Sequence, residues 1–238
     1  MGVSCGGTSA GLRSAQERTT LSVTKTVAVI GSGVVGQVLA DGFLAQGYGV
    51  VRASRYPEKL SAWQQSAGAN ASVAEPAEAV KRADLVVLAV KGDGAEAAVA
   101  LCGEGLAGKT VLDTTNPISD SAPTNGVLGF FTTFSDSLME RLQKQAPSAR
   151  FVKAFSCVGS PSMVQPDFGG VRPTMFICGD SAEAKAEARE VLDQFGWDTE
   201  DMGAVEAARA IEPLCILWCI PGLTGKGWNH AFKLLRAR

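Results

Sequence analysis

The sequence is short of the side chains that most often move protons near neutral pH: its 238 residues include one histidine, His230. That residue stands in "GWNHAFKLL", which reads as an amphipathic terminal helix and gives His230 a structural or surface place. The longest apolar runs, such as "LCILWCIPGL" at 214–223, fall well below the roughly 20 residues that cross a bilayer, so no membrane partner is expected. Neither sign of charge dominates: 22 Lys and Arg against 24 Asp and Glu leave a formal net charge of -2, without the basic surplus of a nucleic-acid protein. Six cysteines, at positions 5, 102, 157, 178, 215 and 219, lack the close spacing of a disulfide scaffold. They suit a reducing, cytoplasmic compartment. Cys215 and Cys219 share a helix face, but no ligand set is complete, so no metal is expected and they read as small buried hydrophobes.

Residues 1–23 hold Gly, Ser, Thr and Arg with one acidic residue and no apolar period. They read as an unstructured extension; the composition also suits an organellar targeting peptide, the alternative to a cytoplasmic location.

From Thr26 onward, short apolar runs alternate with helical stretches. "TVAVI" precedes 35–46, "GVVRAS" precedes 57–68, and "DLVVLAV" precedes 95–102; "KTVLDTT" precedes 134–145, and "RFVKAF" follows. "ASVAE" and "PAEAVKR" supply a third strand and its crossover. Runs of Val, Leu and Ile without strict alternation suit a sheet covered on both faces. The expected class is α/β, a Rossmann doubly wound parallel sheet. It is divided into a sheet domain at 24–155 and a small, mainly helical C-terminal annex at 156–238 that closes a cleft against it. In the annex, "TMFICG" reads as a strand, 182–195 as a helix capped by Asp180 or Ser181, and "WDTEDMG" as a strand and turn. The remainder reads as helix, opened or kinked by Pro213 and broken at Pro221-Gly222.

Gly31, Gly33 and Gly36 form GxGxxG between a strand and a helix. In that context the glycines allow the tight turn, the approach of a pyrophosphate and close helix–strand packing, while free N–H groups at the helix start hold the anion. At the tip of the second strand, where an acidic residue would accept from a ribose hydroxyl, stand Ser54 and Arg55, with Lys59 beyond. A hydroxyl and two cations suit a 2′-phosphate, which makes the expected cofactor NADP.

These segments, with "LAVKGD", "DTTNP", "KAFSCVGS" and the late "DMGAVEAARAIEPL", resemble the coenzyme F420-dependent NADP oxidoreductases, whose relatives include the reductase domain of six-transmembrane ferric reductases. The likeness runs from about Lys25 to Leu235. It implies hydride transfer between NADPH and a second redox partner, F420 or another flavin-like acceptor, in a homodimer. It also implies that Ser32, Val34 and Val35 meet the pyrophosphate and that Ser54, Arg55 and Lys59 meet the 2′-phosphate. Val90 and Lys91 would lie along the adenosine and ribose, Asn116 and Pro117 under the cleft, and Ser156, Cys157, Val158, Gly159 and Ser160 beside the nicotinamide. That last loop departs from the deazaflavin-using members, which have a histidine followed by Thr, Ile, Pro and Ala; its small residues would leave room for another flavin-like ring, a quinone, or a small carbonyl or imine.

Ring-to-ring hydride transfer needs no side-chain acid, whereas a carbonyl or imine needs a proton donor, for which Ser156, Cys157, Ser160 and Lys91 are the candidates. A non-catalytic NADP(H) sensor and the soluble half of a flavin-linked ferric reductase are the other readings. Arg209 and Glu212 are spaced for a helix-face pair. Phe130 and Phe131 either wall a cleft or bury a loop, and Trp218 and Trp228 suit packing better than ring stacking.

Overall fold

Strand β1 (Thr26–Ile30) alternates its side chains between two apolar clusters, Val27 and Val29 on one face and Ala28 and Ile30 on the other. β4 (Leu85–Leu88) divides in the same way. Such strands have no solvent side, which is why they read as unbroken apolar runs. With β2 (Gly49–Ala53), β3 (Ala71–Ala74), β5 (Thr110–Asp113) and β6 (Arg150–Lys153) they form a parallel sheet in the order β3-β2-β1-β4-β5-β6. The structure, a computed structural model, describes residues 1–2 and 25–237. The extension expected over 1–23, with Cys5 and any targeting role, therefore lies outside the described residues apart from positions 1 and 2.

Helix α1 (Val34–Ala45) covers one face of the sheet together with α2 (Ser61–Ala67). On the other face lie α3 (Pro76–Arg82), α4 (Ala95–Cys102) and α5 (Leu138–Gln145). The last begins four residues later than the sequence suggests, because Ser137 caps it by accepting from the Glu140 N–H at 3.2 Å. Strand order reverses between β1 and β4, so the loops after these strands diverge and leave a crevice at their C-terminal ends.

Beyond the sheet, β7 (Thr174–Ile177) pairs in parallel with β8 (Asp198–Asp201), joined through α6 (Ala182–Gln194). Ser181 caps α6, and Gly196 closes it at φ 89°. Val191 and Phe195 enter the same apolar cluster as Val27 and Leu39, so the core includes residues from both sides of position 155. Short α7 (Ala208–Ile211) leads through Pro213 to α8 (Leu214–Leu223).

Two expectations fail in the C-terminal segment. Pro221 does not break α8 but lies in its last turn, and no terminal helix forms around His230. Gly225 and Gly227, at φ 81° and 94°, redirect the chain. The segment then runs extended beside β7, where the Thr174 N–H donates to the Phe232 carbonyl at 2.8 Å. Lys233 pairs with Asp198, and Arg236 with Glu200 at 2.7 Å. An edge offering unpaired backbone groups outweighed the weak helical period. Among the described residues no helix is long and apolar enough to cross a membrane.

Candidate functional site

The glycine turn closes the end of β1. Gly31 has φ 144°, and a Cβ there would stand 2.0 Å from the Ala89 carbonyl oxygen, so both conformation and space require glycine. A Cβ on Gly36 would lie 2.7 Å from the Gly31 carbonyl oxygen, which brings α1 close against the turn. Gly33 differs: a Cβ there would meet nothing within 4 Å, leaving open space at the helix start. No side chain caps α1 at Gly33 and no acid lies in its first turn. Its first amides have no intrahelical partner and carry the positive end of the helix dipole.

Beyond β2, the Tyr56 N–H donates to Ser54 Oγ at 3.2 Å, and Lys59 Nζ stands 4.5 Å from the Tyr56 ring centroid. Arg55 and Lys59 are exposed and have no ion-pair partner among the described residues. One cleft of about 610 Å³ is lined by Gly31, Ser32 and Gly33 on one side, by Ser54, Arg55 and Lys59 on another, and by Val90 and Lys91. A second hollow of about 340 Å³ shares Val90, Lys91 and Asp93 with it and continues to Thr114, Thr115 and Asn116. The structure thus brings the turn, the cationic loop and Asn116 onto one continuous surface.

Other expected positions do not line that surface, although Val34 is exposed beside it. Val34 and Val35 stand in the first turn of α1, Gly36 is buried beneath it, and Pro117 is buried behind Asn116. In the loop after β6, Ser156, Cys157 and Val158 are buried, while Gly159 and Ser160 are partly covered. A Cβ on Gly159 would stand 2.7 Å from the Trp218 ring. Asn116 Nδ2 donates to the Ser156 carbonyl at 2.7 Å and so ties this loop to the floor of the hollow. Asn116 Oδ1 and Ser156 Oγ are buried without partners. Burial pushes the Cys157 thiol up to about 12, so it stays protonated at neutral pH. Phe155, just before the loop, has φ 60°, which is strained for a bulky side chain.

A buried ionic cluster supports the floor from below. Lys153 Nζ lies 2.7 Å from Asp113 Oδ2 and 2.9 Å from Glu212 Oε1, and donates to the Thr115 carbonyl at 2.9 Å. Burial alone would lower the lysine pKa, but the two carboxylates outweigh it and hold the ammonium above its ordinary value. Asp113 Oδ1 accepts from the Thr115 N–H and hydroxyl at 2.9 and 2.7 Å. Glu212 accepts from the Leu138 and Met139 N–H groups, both at 3.0 Å, and so satisfies the start of α5. The expected Arg209–Glu212 pair is therefore absent: Glu212 turns inward, and Arg209 pairs with Glu140. Glu212 was expected in the wrong pair, and Arg52, Asp113 and Lys153 were not singled out from the sequence. The available signal was a charged residue inside an apolar strand, as in "GVVRA", "TVLD" and "RFVK".

His230 is a packing partner. Its ring stacks on Trp218 with centroids 5.0 Å apart, and Trp218 Nε1 donates to its carbonyl at 2.8 Å. Trp228 stands 5.5 Å from Trp218, as expected of packing residues. Phe130 lines an apolar hollow against α8, and Phe131 is half-exposed beside Arg141. Cys215 is buried on α8, its thiol pushed up by its contact with Cys219 and by burial. Among the described residues no three His, Cys, Asp or Glu side chains are grouped to hold a metal ion.

A family described as NADP oxidoreductase, coenzyme F420-dependent, matches residues 26–117. The chain is 31% identical to an Arthrobacter sp. FB24 protein assigned as an F420-dependent NADP-reductase; its crystal structure superposes with a TM-score of 0.82 over 89% of this chain and 100% of that one. It is 29% identical over 205 residues to metalloreductase STEAP3 of Rattus norvegicus, covering 84% of this chain and 39% of that protein. An imine reductase from Aspergillus terreus, at 22% identity and a TM-score of 0.61 over 86% of this chain and 63% of that one, shares the fold. The identity to the Arthrobacter protein and the coverage of its whole length carry the assignment: the chain belongs to the coenzyme F420-dependent family of NADP oxidoreductases.

Proposed function

We propose that the continuous cleft holds NADP(H), with the 2′-phosphate on Ser54, Arg55 and Lys59, the pyrophosphate on the Gly31–Gly36 turn, and the nicotinamide toward Asn116 and the loop at 156–160. The supporting observation is that the glycine turn and two unpaired cations line the same cleft. The open space at Gly33 fits the close approach of a phosphate, and Asn116, on the wall of the second hollow, fits a polar contact at the other end. Bound there, the cofactor supplies a hydride donor or acceptor. The protein's part is to orient it and exclude water: amides and cations fix the phosphates, and Lys153, through the Thr115 carbonyl, holds the floor on which Asn116 sits.

The acceptor that suits this site best is a flavin-like or deazaflavin ring. A carbonyl or imine would need a proton at the developing anion. Of the four candidate donors, Cys157 is buried with its thiol pushed up to about 12 and Ser156 Oγ is enclosed, which leaves Lys91 in the cleft and the half-buried Ser160 as the donors such a substrate would have to use. Arg55→Ala should weaken NADPH binding roughly tenfold to a hundredfold and leave NADH nearly unchanged, as read by calorimetry. Equal losses for both would remove the 2′-phosphate assignment. Oxidation of NADPH by F420, FMN, FAD or quinones, followed by nicotinamide absorbance, tests the acceptor; turnover only with carbonyls or imines would replace it.

A further inference from the structure

Arg52 is a buried cation that neither the glycine turn nor the Lys153 cluster requires. It stands mid-sheet, in register with Val29 on β1 and Val73 on β3, and is 1% exposed. Valine or isoleucine would fill such a position at no electrostatic cost. Its guanidinium carbon lies 4.8 Å from the Trp63 ring centroid. Nη2 makes one long hydrogen bond, 3.3 Å, to the Gly33 carbonyl, and the buried Nε has no partner. Among the described residues no carboxylate forms an ion pair with it. Asp41, whose charge partly offsets the burial, makes no ion pair with it and accepts from the Trp63 indole N–H at 2.7 Å. Burial lowers the guanidinium pKa, yet arginine keeps its proton throughout the range in which proteins are folded.

A full charge behind the glycine turn, with a stacked ring and one weak bond to hold it, is costly unless something outside the chain compensates it. Gly33 is where α1 begins, and the helix dipole there already favours an anion. We propose that Arg52 is a positioning residue for the diphosphate of the dinucleotide: its buried charge has no direct ion-pair partner, only the more distant carboxylate of Asp41, until that anion seats on the turn, so the free protein carries an incompletely compensated charge that binding relieves. The inference rests on the reading of the cleft as an NADP(H) site. It separates two arginines three residues apart. Arg55 discriminates the 2′-phosphate, whereas Arg52 acts on the diphosphate that NADPH and NADH share.

The test replaces the charge in the whole chain. Arg52→Met is expected to raise the melting temperature of the free protein while raising the dissociation constants of NADPH and NADH by a similar factor, about three- to tenfold. A purely structural arginine would not move these two readouts in opposite senses. Arg52→Lys keeps the charge and loses the flat stack, and should bind both cofactors within about twofold of the parent chain. A lower melting temperature or failed folding of R52M, unchanged affinities in R52M, or a loss in R52K equal to that in R52M would each overturn the proposal. Failure of the underlying reading looks different: the parent chain would bind neither cofactor, or Arg55→Ala would weaken both equally.

Discussion

Arg52 and Lys153 are both cations buried in the sheet, at 1% and 0% exposure, and the fold treats them in opposite ways. Lys153, at the end of β6, is enclosed by Asp113, Glu212 and the Thr115 carbonyl, and its pKa rises. Arg52, behind the glycine turn, has an aromatic ring and one long bond, and its pKa falls. The crevice between them therefore has one end where positive charge is left for a ligand and another where charge is neutralised inside the protein. That division suits a cofactor whose phosphates are strongly anionic and whose reacting ring requires placement more than charge. It also makes Lys153 a poor proton donor to substrate, because the ammonium is fully buried between two carboxylates and the Thr115 carbonyl and its pKa is raised.

The contrast predicts opposite signs for removing the two cations. Lys153→Met should be the most damaging single change, since it leaves two carboxylates facing each other without a cation in a closed interior; a loss of about 3–5 kcal/mol, or failure to fold, is expected. Urea denaturation of K153M beside R52M measures both. Matching losses would show that compensation is not what distinguishes the sites. The sign of the lysine shift fixes its pH range: a pKa raised above the ordinary 10.5 leaves the lysine contribution complete below that value and removes it only as pH rises through the folded value. Alkaline, not neutral, conditions should therefore weaken this clamp.

The same contrast explains how much could be read in advance. The strands of the parallel sheet, the glycine turn and the cationic loop are written in local patterns: apolar runs of strand length, GxGxxG at a strand end, and Ser54 with Arg55 after β2. The buried cluster is not local. Asp113, Lys153 and Glu212 lie on three separate elements, and only the crossing of β5, β6 and the α7–α8 junction brings them together. Pairing Arg209 with Glu212 by helical spacing failed for that reason, since a buried lysine and two free amides at α5 compete for the glutamate more strongly than an exposed arginine does. The C-terminal segment misled in the other direction, because its fate was decided by the edge of β7 and not by its own period.

The smallest test concerns how the compensated end is held. Glu212 reaches Lys153 from a position that also binds the first amides of α5, and Ser137 secures the next amide through Glu140 N–H. Ser137 Oγ in turn donates to Glu140 Oε2 at 2.7 Å, which closes the S-x-x-E pair side chain to side chain. Ser137→Ala should cost about 1 kcal/mol, far less than K153M, because Glu212 keeps its two amides. The cap adds a pH signature. Hydrogen bonding to Arg209, and then to Ser137, holds the Glu140 pKa below its ordinary 4.5. Its contribution is present above that value and lost as pH falls through the folded one. The stability gap between the parent chain and Glu140→Gln should therefore be open at pH 7 and close on acidification below about 4.5; a gap unchanged down to acid pH would detach Glu140 from the support of the Lys153 cluster.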